Sequence, residues 1–206
     1  MDTSVPPWNK DQAIGQKAPL RHYQVWRIRR ALEKGGEWRN LALFSTAVDS
    51  MLRSSDLLAL KVGDLAGESL IPKAKLVFRQ KKTGKGVEVE LSPYTRNILS
   101  IWIERTNKSS DDYLFTRRGD DHGTPISSVQ YRKLVKRWVK MIGLPPKGYS
   151  THSLRRTLPS WIYKKTANIE AVRNLLGQSS VTATSRYLNV GGKESLDIAR
   201  EFRLSS

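Results

Sequence analysis

Three short stretches toward the C-terminal end of the chain hold residue types suited to phosphoryl chemistry. They are Thr151-His152-Ser153-Leu154-Arg155-Arg156, Leu176-Gly177-Gln178-Ser179-Ser180 and Ser185-Arg186-Tyr187-Leu188. Transfer at phosphorus depends on positioning and on neutralising the charge of the non-bridging oxygens. Arg suits that task because its planar fork pairs two phosphate oxygens at once. A Tyr hydroxyl can attack phosphorus and hold it covalently, which divides one hard exchange into two easier steps. His152 and Arg155 follow a Pro/Gly break at the start of an expected helix, where free N–H groups and the helix dipole favour an anion. Tyr187 is expected to be exposed near the end of a short helix.

Helices and one hairpin must carry these groups. Val25, Ile28 and Leu32 recur at helical spacing from Leu20 until Gly35-Gly36, and Leu41, Phe44, Val48 and Met51-Leu52 mark the buried face of a helix over 37–53. That places Arg53 at a helix end, just before an expected cap at Ser55-Asp56 and a short helix through Leu60. Leu76 and Phe78, a Lys82-Thr83-Gly84-Lys85-Gly86 turn, and Val87, Val89 and Leu91 alternating with Glu88 and Glu90 predict a β-hairpin over 68–92. Pro93 opens a helix to about 106, and Tyr113-Leu114-Phe115 reads as a short buried connector. Beyond Ser127-Ser128, an apolar face of Tyr131, Leu134, Val135, Trp138 and Ile142 lies opposite Arg132, Lys133, Lys136, Arg137 and Lys140. Further helices are expected over 152–166, 168–176, 181–188 and 194–204. Residues 1–19, with Pro6, Pro7, Gly15 and Pro19, read as an extended arm, and 20–206 as one catalytic domain including its C-terminal helix.

Lys+Arg 36 against Asp+Glu 19 gives a net charge of +17. Such an excess implies a polyanionic partner, for which nucleic acid is the usual candidate. Hydrophobic content of 38% supports a core. No apolar run approaches the ~20 residues of a membrane span. Cysteine is absent, which rules out disulfides and thiolate metal sites and fits a reducing cytoplasm.

In combination, these motifs resemble the tyrosine recombinase (phage integrase) family over roughly residues 20–200. The resemblance implies a mainly α fold with a small antiparallel β-sheet (α+β), of the tyrosine-recombinase catalytic-domain type. Met51-Leu52-Arg53-Ser54-Ser55-Asp56-Leu57-Leu58-Ala59-Leu60 is similar to the family's first-arginine motif, with Arg53 as a phosphate clamp. Lys82 fits the hairpin lysine, a general acid for the leaving 5′ oxygen, with Lys81 and Lys85 as close competitors. His152 and Arg155 fit the His-x-x-Arg pair, and Tyr187 the nucleophile. Gln178 departs from the pattern, because nine residues before the Tyr the family usually carries His or Trp. A Gln amide can donate a hydrogen bond to phosphate but has no proton to exchange near neutral pH.

The implied reaction is strand cleavage and rejoining on double-stranded DNA without metal or cofactor, through a 3′-phosphotyrosine. The resemblance also implies a homo-tetramer on paired sites, a possible accessory DNA-bending protein, and a cytoplasmic, nucleoid-associated location. With about twenty residues before the catalytic region, the chain resembles the small members without a separate core-binding domain. DNA affinity is expected on the basic helix face of Arg132, Lys133, Lys136, Arg137 and Lys140. Two other classes compete: a DNA-binding regulator without catalysis, favoured by Gln178, and a metal-dependent nuclease using Asp49, Asp56 and Asp64.

Overall fold

The computed structural model describes residues 17–82, 84–120 and 123–188, and residues 1–16 of the expected arm and the whole of the expected 194–204 helix lie outside them. The chain forms α1 (His22–Lys34), α2 (Trp38–Ser50), α3 (Ser54–Leu58), α4 (Val62–Ala66), β1 (Lys75–Arg79), β2 (Gly86–Glu90), α5 (Pro93–Thr106), α6 (Ser128–Met141), α7 (Thr151–Thr166), α8 (Ile169–Leu176) and α9 (Val181–Leu188). The expected class is what is found: mainly helical, with one small antiparallel sheet.

α2 organises the rest. Every residue from Asn40 to Ser50 is buried, polar ones included, because α1, α5 and α7 and strand β2 all pack around it. The sequence shows one apolar face, whereas the helix is enclosed on all sides. Its polar groups therefore need partners. Asp49 takes Arg29 of α1 at 3.2 Å and also accepts from the Ser92 backbone N–H at 3.0 Å and the Ser92 hydroxyl at 2.6 Å. Ser92 in turn caps α5 through the Thr95 N–H. Asp64 accepts from the Lys61 N–H at the start of α4. Two of the three carboxylates weighed for a metal site are thus engaged in joining or capping helices.

α2 ends earlier than its apolar spacing suggests. Ser50 is its last residue, and Met51 adopts a left-handed conformation (φ 53°). That conformation costs a non-glycine residue roughly 1–2 kcal/mol, and here the buried Met51 side chain is held against Val172 and Leu176. The turn sends the chain directly into α3, so Arg53 is the N-cap residue of α3 rather than the tail of α2, and Asp56 lies inside α3 rather than capping it. α4, a five-residue helix, has too short a pattern to be seen in the sequence.

The hairpin pairs Leu76 with Val89 and Phe78 with Val87, which puts the alternating apolar residues on one face. Val87 and Val89 are buried, and β2 packs on α8. The Tyr113-Leu114-Phe115 connector is held by the Lys61–Tyr113 bridge, with Leu114 and Phe115 fully buried. Residues 17–20 run along α7 and the turn before it. Ala18 N–H donates to the Gly148 carbonyl (3.1 Å), Arg156 to the Lys17 carbonyl (2.7 Å), and Trp161 to the Leu20 carbonyl (2.9 Å). The described residues of the expected arm are therefore fixed to α7 and the turn before it.

Candidate functional site

The first turns of α7 are anchored inside the protein. Ser153, Leu154, Arg155, Arg156 and Thr157 are all buried, and the Ser153 hydroxyl accepts from the Ser150 N–H at 3.0 Å. This anchoring fixes the backbone from which His152 and Arg155 project. Pro159, inside α7, cannot return a hydrogen bond to the Arg155 carbonyl one turn earlier.

Arg155 and Arg53 approach each other from different parts of the core. Arg155 Nη2 donates to the Leu176 carbonyl at 3.1 Å, while its Nη1 is buried with no hydrogen-bond partner among the described residues. Arg53 donates to the amide oxygen of Gln80, whose own Nε2 donates to the same Leu176 carbonyl at 3.1 Å. The sequence suggested an anion partner for Arg53; the structure supplies a neutral amide. Asp56, fully buried one turn into α3, accepts from the Lys81 backbone N–H at 3.2 Å and fastens the hairpin turn to the arginine group. Its other oxygen, Oδ2, has no partner.

Tyr187 enters this group from α9. Its ring is half-buried, and its hydroxyl is covered beside the Arg155 guanidinium, so the phenol oxygen does not stand free at the helix end. Burial pushes its pKa up, and the positive charges of Arg155, Arg156 and Arg53 pull it the other way. The Arg156 guanidinium lies 5.6 Å from the Tyr187 ring centroid, within reach of a cation–π attraction. His152 is exposed at the start of α7. Partial burial and the adjacent Arg155 and Arg156 charges hold its pKa below the usual histidine value, which favours the neutral imidazole at neutral pH.

Gln178 follows the Gly177 cap of α8, and its side-chain oxygen accepts from the Thr184 hydroxyl at 2.7 Å. Its backbone N–H and carbonyl are both bonded to Arg173. Gln178 thus ties α8 to the helix that carries Tyr187. Gly177 sits at φ 62°, and an added Cβ would lie 2.5 Å from Val87 Cγ2 and 2.9 Å from Gln80 Nε2. Only glycine fits both the turn and the close approach of the hairpin.

Lys82 is exposed in the hairpin turn, two residues beyond Gln80, and is not part of the hydrogen-bonded group around Leu176. The five basic residues of α6 are all exposed. Arg137 is not available in the same way as the others, since it forms a two-pronged ion pair with Glu37. Sequence reasoning gave no role to Gln80 or Thr184 and treated Asp56 as a cap. The Leu-Gly pair at 176–177 was the available signal for close backbone approach. Gln80 left none, because a polar residue at a strand end normally faces water.

Residues 19–194 match the phage integrase family. The chain belongs to that family. A tyrosine recombinase of Pseudothermotoga lettingae is 31% identical over 149 residues, covering 71% of this chain and 48% of the relative. The probable integrase/recombinase YoeC of Bacillus subtilis is 26% identical over 159 residues, covering 74% of this chain and 78% of the relative. Among solved structures, the XerA recombinase superposes with a TM-score of 0.73 at 18% identity, covering 93% of this chain and 67% of that one. The XerH site-specific recombinase in a post-cleavage complex with its palindromic difH substrate gives a TM-score of 0.72 at 21% identity, covering 91% and 54%. The chain spans about half the length of several of the curated relatives it matches. No helix among the described residues is long and apolar enough to cross a membrane.

Proposed function

We propose that this chain cleaves and rejoins DNA strands as a site-specific tyrosine recombinase, with Tyr187 as nucleophile. The observation that carries this reading is the Tyr187 hydroxyl buried against the Arg155 guanidinium, with that hydroxyl and Arg155 Nη1 both short of a well-formed hydrogen bond. An unmade hydrogen bond on a buried group costs about 1–3 kcal/mol. A phosphodiester there would accept from the guanidinium through its oxygens and leave the phenol oxygen facing phosphorus.

In the proposed step the Tyr187 oxygen bonds to phosphorus and the bond from phosphorus to the 5′ oxygen breaks. Arg53 and Arg155 hold the non-bridging oxygens, where charge develops. Neutral His152 takes up the phenolic proton, and Lys82 delivers a proton to the departing 5′ oxygen once the hairpin turn lies against DNA. Gln178 donates through its amide NH2, since Thr184 occupies its oxygen. Attack by the 5′ hydroxyl of the partner strand reverses the sequence, so the phosphodiester energy is conserved and no metal or nucleotide is consumed. Duplex DNA is the partner, gripped in part by Arg132, Lys133, Lys136 and Lys140 on α6. Exchange between two paired sites calls for four copies of the chain, with an accessory DNA-bending protein where the sites must be brought together.

A nicked suicide duplex in EDTA tests the proposal. The unaltered chain is expected to form an adduct that survives denaturing gels, and Tyr187→Phe to form none while binding DNA nearly as well. DNA binding without any adduct would instead establish a non-catalytic regulator. Cleavage that disappears in EDTA would establish a metal-dependent nuclease.

A further inference from the structure

We infer that Gln80 is a positioning residue for DNA cleavage: it sets the Arg53 guanidinium against Arg155 by tying Arg53 to the backbone carbonyl to which Arg155 itself donates. The inference rests on the recombinase reading above. Gln80 is almost fully buried at the end of β1, where the hairpin leaves its ladder. Its two amide ends do different work. The oxygen accepts from Arg53, and the nitrogen donates to the Leu176 carbonyl, the same atom that accepts from Arg155 Nη2. The two arginines are 102 positions apart in the sequence, Arg53 at the N-cap of α3 and Arg155 inside α7. Gln80 makes them members of one hydrogen-bonded unit.

The same side chain lies at the base of the turn that bears Lys82. Gln80 N–H donates to the Lys85 carbonyl at 2.9 Å, its carbonyl accepts from Gly84 at 2.8 Å, and the next residue's N–H is held by Asp56. The hairpin turn and the arginine pair therefore share one anchor. Gly177 leaves the room for it, because a Cβ there would press on the Gln80 amide. An Arg held only by its own long side chain loses rotamer entropy when it closes on phosphate, whereas one already directed by an acceptor has less to lose. Gln80 supplies that direction without a charge, so it does not compete with phosphate as a carboxylate would.

The test is a double-mutant cycle read by single-turnover cleavage of a suicide duplex at saturating DNA. Gln80→Met keeps the volume and removes both hydrogen bonds. It is expected to slow cleavage roughly tenfold or more through misplacement of Arg53, with DNA affinity changed by no more than about twofold. In an Arg53→Lys background the same substitution is expected to cost less than about threefold, because the group it positions is already altered. Gln80→Glu provides a second route: it keeps an acceptor for Arg53, loses the donor to Leu176, and is also expected to be slow and non-additive with Arg53→Lys. Thermal melts of each variant separate lost fold from lost positioning. Equal losses in both backgrounds would overturn the inference, as would faster cleavage by Gln80→Met, which would make the amide a competitor of phosphate. Failure of the underlying reading looks different, because the unaltered chain would then show no cleavage at all.

Discussion

The arginines and the tyrosine of the proposed site are held by two regions built in different ways. Arg53 and Arg155 project from a framework in which α2 is enclosed on every side and the first turns of α7 are buried beside it. Tyr187 and Gln178 belong to a smaller unit whose buried apolar residues are Met51, Val172 and Leu176, with half-buried Leu158, Ile162, Tyr163, Leu175 and Leu188 around them. Among the described residues of α9, only Thr184 is buried. Few buried contacts mean a low free energy of local opening. The difference shows that the backbone bearing Arg155 is fixed by packing, whereas α9, which bears Tyr187, is tied to α8 largely by hydrogen bonds: Thr184 to Gln178 and Arg173 to the Gln178 carbonyl.

The largest expected effect falls on the framework side. Arg155→Ala removes a charge-assisted contact to the reacting phosphate and is expected to lower cleavage by about 10²–10³-fold, measured by single-turnover kinetics. Cleavage within a few-fold of the parent would mean that the framework arginine does not meet the phosphate, and the comparison would fail at its first element.

Gly177→Ala probes the seam between the regions. A left-handed alanine costs roughly 1–2 kcal/mol and the clash with Val87 and Gln80 a further ~1–3 kcal/mol, so a loss of about 2–5 kcal/mol is expected in denaturant unfolding or in local opening. Amide exchange says which. Faster exchange in α8 and α9 with α2 still protected keeps the two regions distinct; equal loss of protection in α2 would make them one cooperative unit.

The framework's outer face supplies a milder test. Neutralising Lys133 and Lys140 together is expected to weaken binding to all DNA sequences alike and to reduce the slope of log affinity against log salt by about 2. Arg137→Gln is expected to change that slope less than either lysine, because Glu37 already pairs with the guanidinium, and to lower the melting temperature instead. An unchanged slope for the lysine pair would place the DNA contact away from α6.

The smallest effect is expected at Gln178, on the lightly packed side. One neutral hydrogen bond is worth about 0.5–1.5 kcal/mol. Gln178→Ala should therefore slow cleavage roughly 2- to 10-fold, while Gln178→His, which can still donate to phosphate, should stay within about threefold of the parent. A large gain for the His variant would show that the reaction needs a titratable group there.

The sequence by itself determined most of the secondary structure and the family. Strong periodic patterns and caps are local, so α5 begins at Pro93 after Ser92 and the hairpin takes the register that its alternation implies. The residues of the proposed pocket were legible because their types and order are distinctive even when far apart. What the sequence could not supply were relations among side chains. Apolar spacing alone cannot show that α2 is buried all round, or that Met51 breaks it and makes Arg53 the start of the next helix, because both follow from what packs against them. The tertiary structure alone decided that the Tyr187 hydroxyl is covered, that Arg53 rests on Gln80, and that Gln178 is joined to Thr184. Each of these depends on bringing together segments that no local pattern connects, and a hydrogen bond acts only over about 3 Å.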